Sequence, residues 1–174
     1  GIYVGSPSGQ ATVTITKTTI NGKPTVGEVK NNTADNGGGV YVFCGGELIV
    51  NEGHIINNTA VAPQNATLPN SGKDLPTSLH GAGGGICVAS NDAGTAIFTL
   101  TGTEDQKTGK MNMAIYGNTA TFSGDEVFSN GRNTSLTVPL VSQMNLEGYE
   151  LEIVGWFEDY NTGDTSYTSG LNMI

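Results

Sequence analysis

Stretches of four or five residues in which apolar and polar side chains alternate recur along the chain, always in the same order. The first type reads Gly39-Val40-Tyr41-Val42 and returns as Gly85-Ile86-Cys87-Val88 and Gly1-Ile2-Tyr3-Val4; two of its copies follow a triple glycine, Gly37 to Gly39 and Gly83 to Gly85. The second comprises Thr12-Val13-Thr14-Ile15, Glu47-Leu48-Ile49-Val50, Ile97-Phe98-Thr99-Leu100 and Ser135-Leu136-Thr137-Val138. The third reads Val29-Lys30-Asn31-Asn32-Thr33-Ala34, Ile55-Ile56-Asn57-Asn58-Thr59-Ala60 and Ile115-Tyr116-Gly117-Asn118-Thr119-Ala120. A period of two sends alternate side chains to opposite faces of an extended chain, so these stretches predict β-strands. Their ordered return is the signature of a repeat architecture.

Aligned on one another, the copies define inward columns: Ile2/Val40/Ile86, Val4/Val42/Val88, Val13/Leu48/Phe98/Leu136, Ile15/Val50/Leu100/Val138 and Val29/Ile55/Ile115. No single strand can bury such a face alone. Repeats stacked ~4.8 Å apart merge the columns into one core and give each strand a neighbour above and below. Asn32, Asn58 and Asn118 fall at matching turns, where stacked amides can satisfy buried backbone groups. Ala34, Ala60 and Ala120 are small enough for a tight corner, and the glycines ahead of the first strand allow positive φ. Surplus residues sit between the strands: one insertion at about 61–82, carrying Pro63, Pro69 and Pro76, and another near 101–112 with a counterpart near 17–26. The expectation is an all-β chain, a right-handed parallel β-helix of about three to four coils over 1–138.

Composition sharpens this. The chain is poor in charge (13% Asp, Glu, Lys and Arg) and contains 26 glycines. Disorder goes with high charge and few β-branched residues, which is the opposite balance. The formal net charge of −9 with Arg132 as the sole arginine offers no basic patch for phosphates, so nucleic acid is excluded as a partner. Acids cluster late: Asp125, Glu126, Glu147, Glu150, Glu152, Glu158, Asp159 and Asp164 face Arg132 alone. Residues 139–174 also leave the repeat, and Tyr149 to Glu158, with Trp156, alternate as a strand would. They read as a C-terminal β cap over the last coil. No apolar run is long enough to span a membrane. The chain opens inside a repeat, which suggests a fragment of a longer protein whose exposed N-terminal coil could support a dimer.

Taken together, Gly-Gly-Gly-[Ile/Val]-Tyr-Val, a short alternating strand and [Ile/Val]-x-x-Asn-Thr-Ala resemble the Gly-rich right-handed β-helix repeats of large bacterial surface proteins. They are also similar to the repeats of polymorphic outer-membrane autotransporters, with Val29, Ile55 or Ile115 where those carry Phe. The resemblance implies a secreted or cell-surface adhesin-like module whose partner is a glycan or a protein on a host or neighbouring cell. It supplies no catalytic motif.

The candidate chemistry is sparse. Asp159, Asn161 and Asp164 lie in a segment that reads either as the start of a calcium loop or as an acidic solvated turn, and the turn is the preferred reading. Cys87 aligns with Tyr41, three residues short of Cys44, an offset of roughly 10 Å along extended strands. Two free thiols follow. His54 and His80 have no partner at metal-ligand spacing and read as solvent-facing or hydrogen-bonding residues. The outward column Tyr3/Tyr41/Cys87/Phe128 is the candidate binding surface. Its aromatic rings would either stack on sugars or lie beneath the 61–82 insertion, and the covering loop is the preferred reading because exposed aromatic stripes are rare. A non-catalytic surface module is the leading expectation, and a polysaccharide lyase or glycosidase the alternative. Outward Thr14, Thr99 and Thr137 hint at ice binding, but Ile49 interrupts that column.

Overall fold

A computed structural model describes residues 1–6, 8–64, 80–90, 94–101, 113–129 and 133–137, with the strands at 157–159 and 171–173. The described residues are all-β and contain no helix. Four parallel sheets carry the repeats. The first holds β1 (Ile2–Gly5), β7 (Val40–Phe43), β11 (Ile86–Ala89) and β15 (Val127–Ser129) in that order. The second holds β2 (Ala11–Ile15), β8 (Gly46–Val50), β12 (Ala96–Leu100) and β16 (Thr134–Thr137). The third holds β5 (Gly27–Lys30), β9 (Gly53–Ile56) and β13 (Met113–Tyr116). The fourth holds the two-residue strands β6 (Thr33–Ala34), β10 (Thr59–Ala60) and β14 (Thr119–Ala120).

The register is the one the sequence alignment predicts. Val40 pairs with Ile2 and Ile86, Leu48 with Val13 and Phe98, Ile55 with Val29 and Ile115, and Ala60 with Ala34 and Ala120. Like residues therefore lie beside like, and the inward columns share one core. It is built from Val4, Val40, Val42, Leu48, Val50, Ile55, Ile86, Val88, Phe98, Leu100, Met113 and their neighbours. Ile2, Val13, Val127 and Leu136, from the first and last strands of two sheets, are only partly buried against it.

Glycine is needed at the triplets for two different reasons. The first member of each set takes the left-handed conformation, with φ of 58° at Gly37 and 68° at Gly83. The next two lack room for a side chain. A Cβ on Gly38 would sit 2.4 Å from the Gly84 oxygen and 2.5 Å from that of Thr59, and one on Gly39 would sit 2.6 Å from the Gly85 oxygen. Close backbone approach, rather than positive φ, fixes those positions.

Of the expected insertions, the one near 17–26 contains an antiparallel hairpin of β3 (Thr18–Ile20) and β4 (Lys23–Thr25). Asn21 and Gly22 turn it with φ of 52° and 76°, as a two-residue hairpin turn requires. Residues 65–79 and 102–112 lie outside the described residues. So does most of the expected cap, Trp156 included; from it the structure describes an antiparallel pair, β17 (Phe157–Asp159) and β18 (Leu171–Met173).

Candidate functional site

The outward side of the first sheet carries the aromatic column. Tyr3, Tyr41, Cys87 and Phe128 stand in register on β1, β7, β11 and β15. Outward does not mean solvated along its whole length. Tyr3 is 60% exposed and Tyr41 is part-buried, whereas Phe128 is 7% exposed and Cys87 fully buried. The inner end of the column belongs to a second small core of Ala82, Cys87, Ala89 and Phe128, against which Tyr41, Phe43 and Phe122 pack. Phe122, contributed by the turn after β14, lies 6.4 Å from Phe128 ring to ring. Phe128, proposed from the sequence as a ring on the binding surface, thus faces protein.

From exposed Tyr3 the aromatic row continues through the part-buried Tyr41 and Phe43. Tyr3 meets Tyr41 edge-on with centroids 5.7 Å apart, and Phe43 follows at 5.6 Å. Beside Tyr41, Asp35 Oδ2 lies within hydrogen-bond distance of His80 Nδ1, at 2.6 Å. The backbone holds it there, because Gly81 donates to the Asp35 carbonyl at 2.7 Å and Ala82 to Asn36 Oδ1 at 3.2 Å. Burial pushes the Tyr41 hydroxyl well above its ordinary titration range, and the negative groups of Cys87, Tyr3, Cys44 and Asp35 add to the shift. Tyr41 is therefore a neutral phenol at any physiological pH. Phe43 and the Asp35–His80 pair were not foreseen from sequence. Phe43 ends β7 two residues after Tyr41, so strand alternation sets both on the same outward face.

The remaining sequence candidates are placed as follows. Cys44 and Cys87 are both buried and form no disulfide, and burial raises the Cys87 thiol far above its usual value. His54 stacks between Glu28 and Ala114, with its Nδ1 3.9 Å from Glu28 Oε1. Asp159 ends β17, while Asn161 and Asp164 lie outside the described residues. Among the described residues, no group of three or more His, Cys, Asp or Glu is placed to hold a metal ion.

The asparagines form the second polar feature, inside the fold. Asn58 Oδ1 accepts from the backbone N–H and side-chain amide of Asn32 at 3.1 and 3.0 Å. One repeat on, Asn118 Oδ1 accepts from the same groups of Asn58 at 2.9 and 3.0 Å. The amide nitrogens also reach the strand carbonyls, Asn58 to Val29 at 2.9 Å and Asn118 to Ile55 at 3.0 Å. The residue before each rung is left-handed: Asn31 at 56°, Asn57 at 54° and Gly117 at 66°. An αL asparagine followed by a ladder asparagine and a threonine spells Asn-x-Thr. The glycosylation-like triplets at Asn31 and Asn57 are thus by-products of corner geometry.

No family model matches the chain, and neither a curated protein nor a solved structure matches it.

Proposed function

We propose that the chain winds as a right-handed parallel β-helix of three to four coils and serves as a non-catalytic binding module on a bacterial cell surface, with a glycan as its ligand. The winding is supported by the order of strands: each parallel sheet draws one strand from each repeat, and the four sheets recur in the same sequence. The binding role rests on one observation, the aromatic row that opens on exposed Tyr3 and runs through part-buried Tyr41 and Phe43, with the Asp35–His80 pair beside it. Aromatic faces take up the C–H faces of sugar rings, and a carboxylate with an imidazole supplies an acceptor and a donor for hydroxyls. The acids of the parallel sheets are already engaged in structural contacts: Glu47 accepts from Thr12, Glu52 pairs with Lys17, and Glu28 pairs with Lys30. That favours binding over glycosidic cleavage, which needs two free carboxylates facing a substrate.

The test is a glycan array and a cell-binding assay on the chain and on Tyr3→Ala and Tyr41→Ala. Binding lost in both variants with unchanged circular dichroism is the expected result. An array and cell panel blank for the parent chain, or binding untouched by both substitutions, overturns the proposal. Release of reducing or unsaturated ends from any bound polysaccharide overturns its non-catalytic part.

A further inference from the structure

Asp125 and Glu126 occupy the place where the two preceding repeats have consecutive glycines. The backbone alignment is direct: Gly84 donates to the Gly124 carbonyl at 3.0 Å, Gly85 to Asp125 at 2.9 Å and Ile86 to Glu126 at 2.9 Å. The layer before it aligns alike, with Gly38 donating to Gly83 and Val40 to Gly85. Asp125 thus stacks on Gly84 and Gly38, and Glu126 on Gly85 and Gly39. Side chains are forbidden at the glycines because the next layer presses on them. A Cβ on Gly84 would lie 2.4 Å from the Thr119 oxygen, and one on Gly85 would lie 2.8 Å from Asn118 Nδ2.

At the last of the described layers both carboxylates turn into the positions a further strand would fill. In the fourth sheet Thr119 and Thr121 donate back to Asn58 and Ala60 at 2.9 and 3.0 Å. The N–H of Ala120 between them must point away from β10, to where another parallel strand would offer a carbonyl. Asp125 Oδ1 takes that N–H at 2.7 Å. The last asparagine is treated the same way. Glu126 accepts from the side-chain amide of Asn118 and from its backbone N–H, the two donors that Asn118 Oδ1 itself takes from Asn58.

We infer that Asp125 and Glu126 form a built-in terminator: their two carboxylates take the N–H groups that a further layer would accept, end the asparagine ladder among the described residues and close the edge of β14 to strand addition. An exposed parallel edge is a template for any extended chain, and charge placed on it is how such edges are protected. The pair does both tasks with two adjacent residues.

Amide hydrogen exchange on the full chain tests this. In the parent protein the Asn118 and Ala120 amides should exchange slowly, like those of Thr119 and Thr121. Asp125→Ala should speed Ala120 by roughly tenfold or more and leave Thr121 unchanged; Glu126→Ala should do the same to Asn118 and leave Thr119 unchanged. Glu126→Gln, which keeps an acceptor oxygen, should restore Asn118 protection. Unprotected Asn118 and Ala120 amides in the parent, or rates indifferent to these substitutions, overturn the inference. Asp125→Gly/Glu126→Gly, which recreates the earlier repeats, should self-associate beyond the parent in light scattering. A folded double variant that associates no more than the parent overturns the edge-closing role. Should that variant fail to fold, the single substitutions decide.

Discussion

Replacing Asn58 with alanine deletes the middle rung of the amide ladder while leaving the backbone N–H of residue 58 on Asn118. Asn58 is fully buried. Its side chain donates to the Val29 carbonyl and to Asn118 Oδ1, and accepts from the backbone and side chain of Asn32. Each buried polar group left unsatisfied costs about 1–3 kcal/mol. The Val29 carbonyl and the Asn32 N–H both lose a partner, so the expected loss is roughly 3–5 kcal/mol. Against a typical domain stability of about 5–15 kcal/mol, this is a large fraction. Asn32→Ala is the internal control. It removes the outermost rung, where solvent substitutes for lost bonds, and should cost about 1 kcal/mol or less. Asn58→Asp keeps the acceptor but sets a carboxylate against the Val29 and Asn118 oxygens. It should be at least as damaging at neutral pH as alanine, and partly relieved by acid. Urea unfolding followed by circular dichroism measures all three. Equal losses for Asn58→Ala and Asn32→Ala would mean that the ladder carries no stability and that the asparagines are there for corner shape alone.

Three further outcomes are expected. Phe98→Ala opens a cavity in the middle of the core, where the ring is fully buried, and should cost about 3–5 kcal/mol by the same urea titration. Gly38→Ala forces a methyl into backbone 2.4 Å away and should cost about 3 kcal/mol or more; Gly22→Ala, with φ of 76° but open space around it, should cost about 1–2 kcal/mol, and a ranking in the opposite order refutes the packing account. Glu126 is held above the ordinary carboxylate value of 4.5, chiefly by burial. A raised folded value means that the folded chain binds this proton more tightly, so the contribution is fully present below 4.5 and is lost as pH rises through the raised value. Glu126→Gln should therefore gain stability relative to the parent at pH ~7 and lose that advantage below pH ~4.5; a pH-independent difference would contradict the burial of this carboxyl.

Much of the strand register was legible because stacking requires each column to hold one kind of residue. Val40, Ile86 and Ile2 align by eye for the physical reason that they touch. The amide ladder was legible for the same reason: Asn32, Asn58 and Asn118 recur at equal offsets from the strands they close. What sequence missed lay in breaks from the pattern. Gly124-Asp125-Glu126 takes the place of a glycine triplet only once the backbone hydrogen bonds are seen, and those of Asn118 and Ala120 show why acids stand there. The outward column was read correctly as outward, but its degree of exposure depended on Phe122, which belongs to no repeat. The Asp35–His80 pair joins residues 45 apart across an insertion of unrepeated sequence, so no periodicity could point to it.

The hairpin of β3 and β4 has every residue exposed and lends none to either core. It leaves the second sheet after Ile15 and returns to the third at Gly27, so its length is invisible to the layers above and below. Drift and recombination can therefore rewrite this loop freely while the scaffold stays under constraint. Engineers inherit the same licence: a foreign peptide spliced between Thr18 and Thr25 should be displayed without touching the core that holds it up.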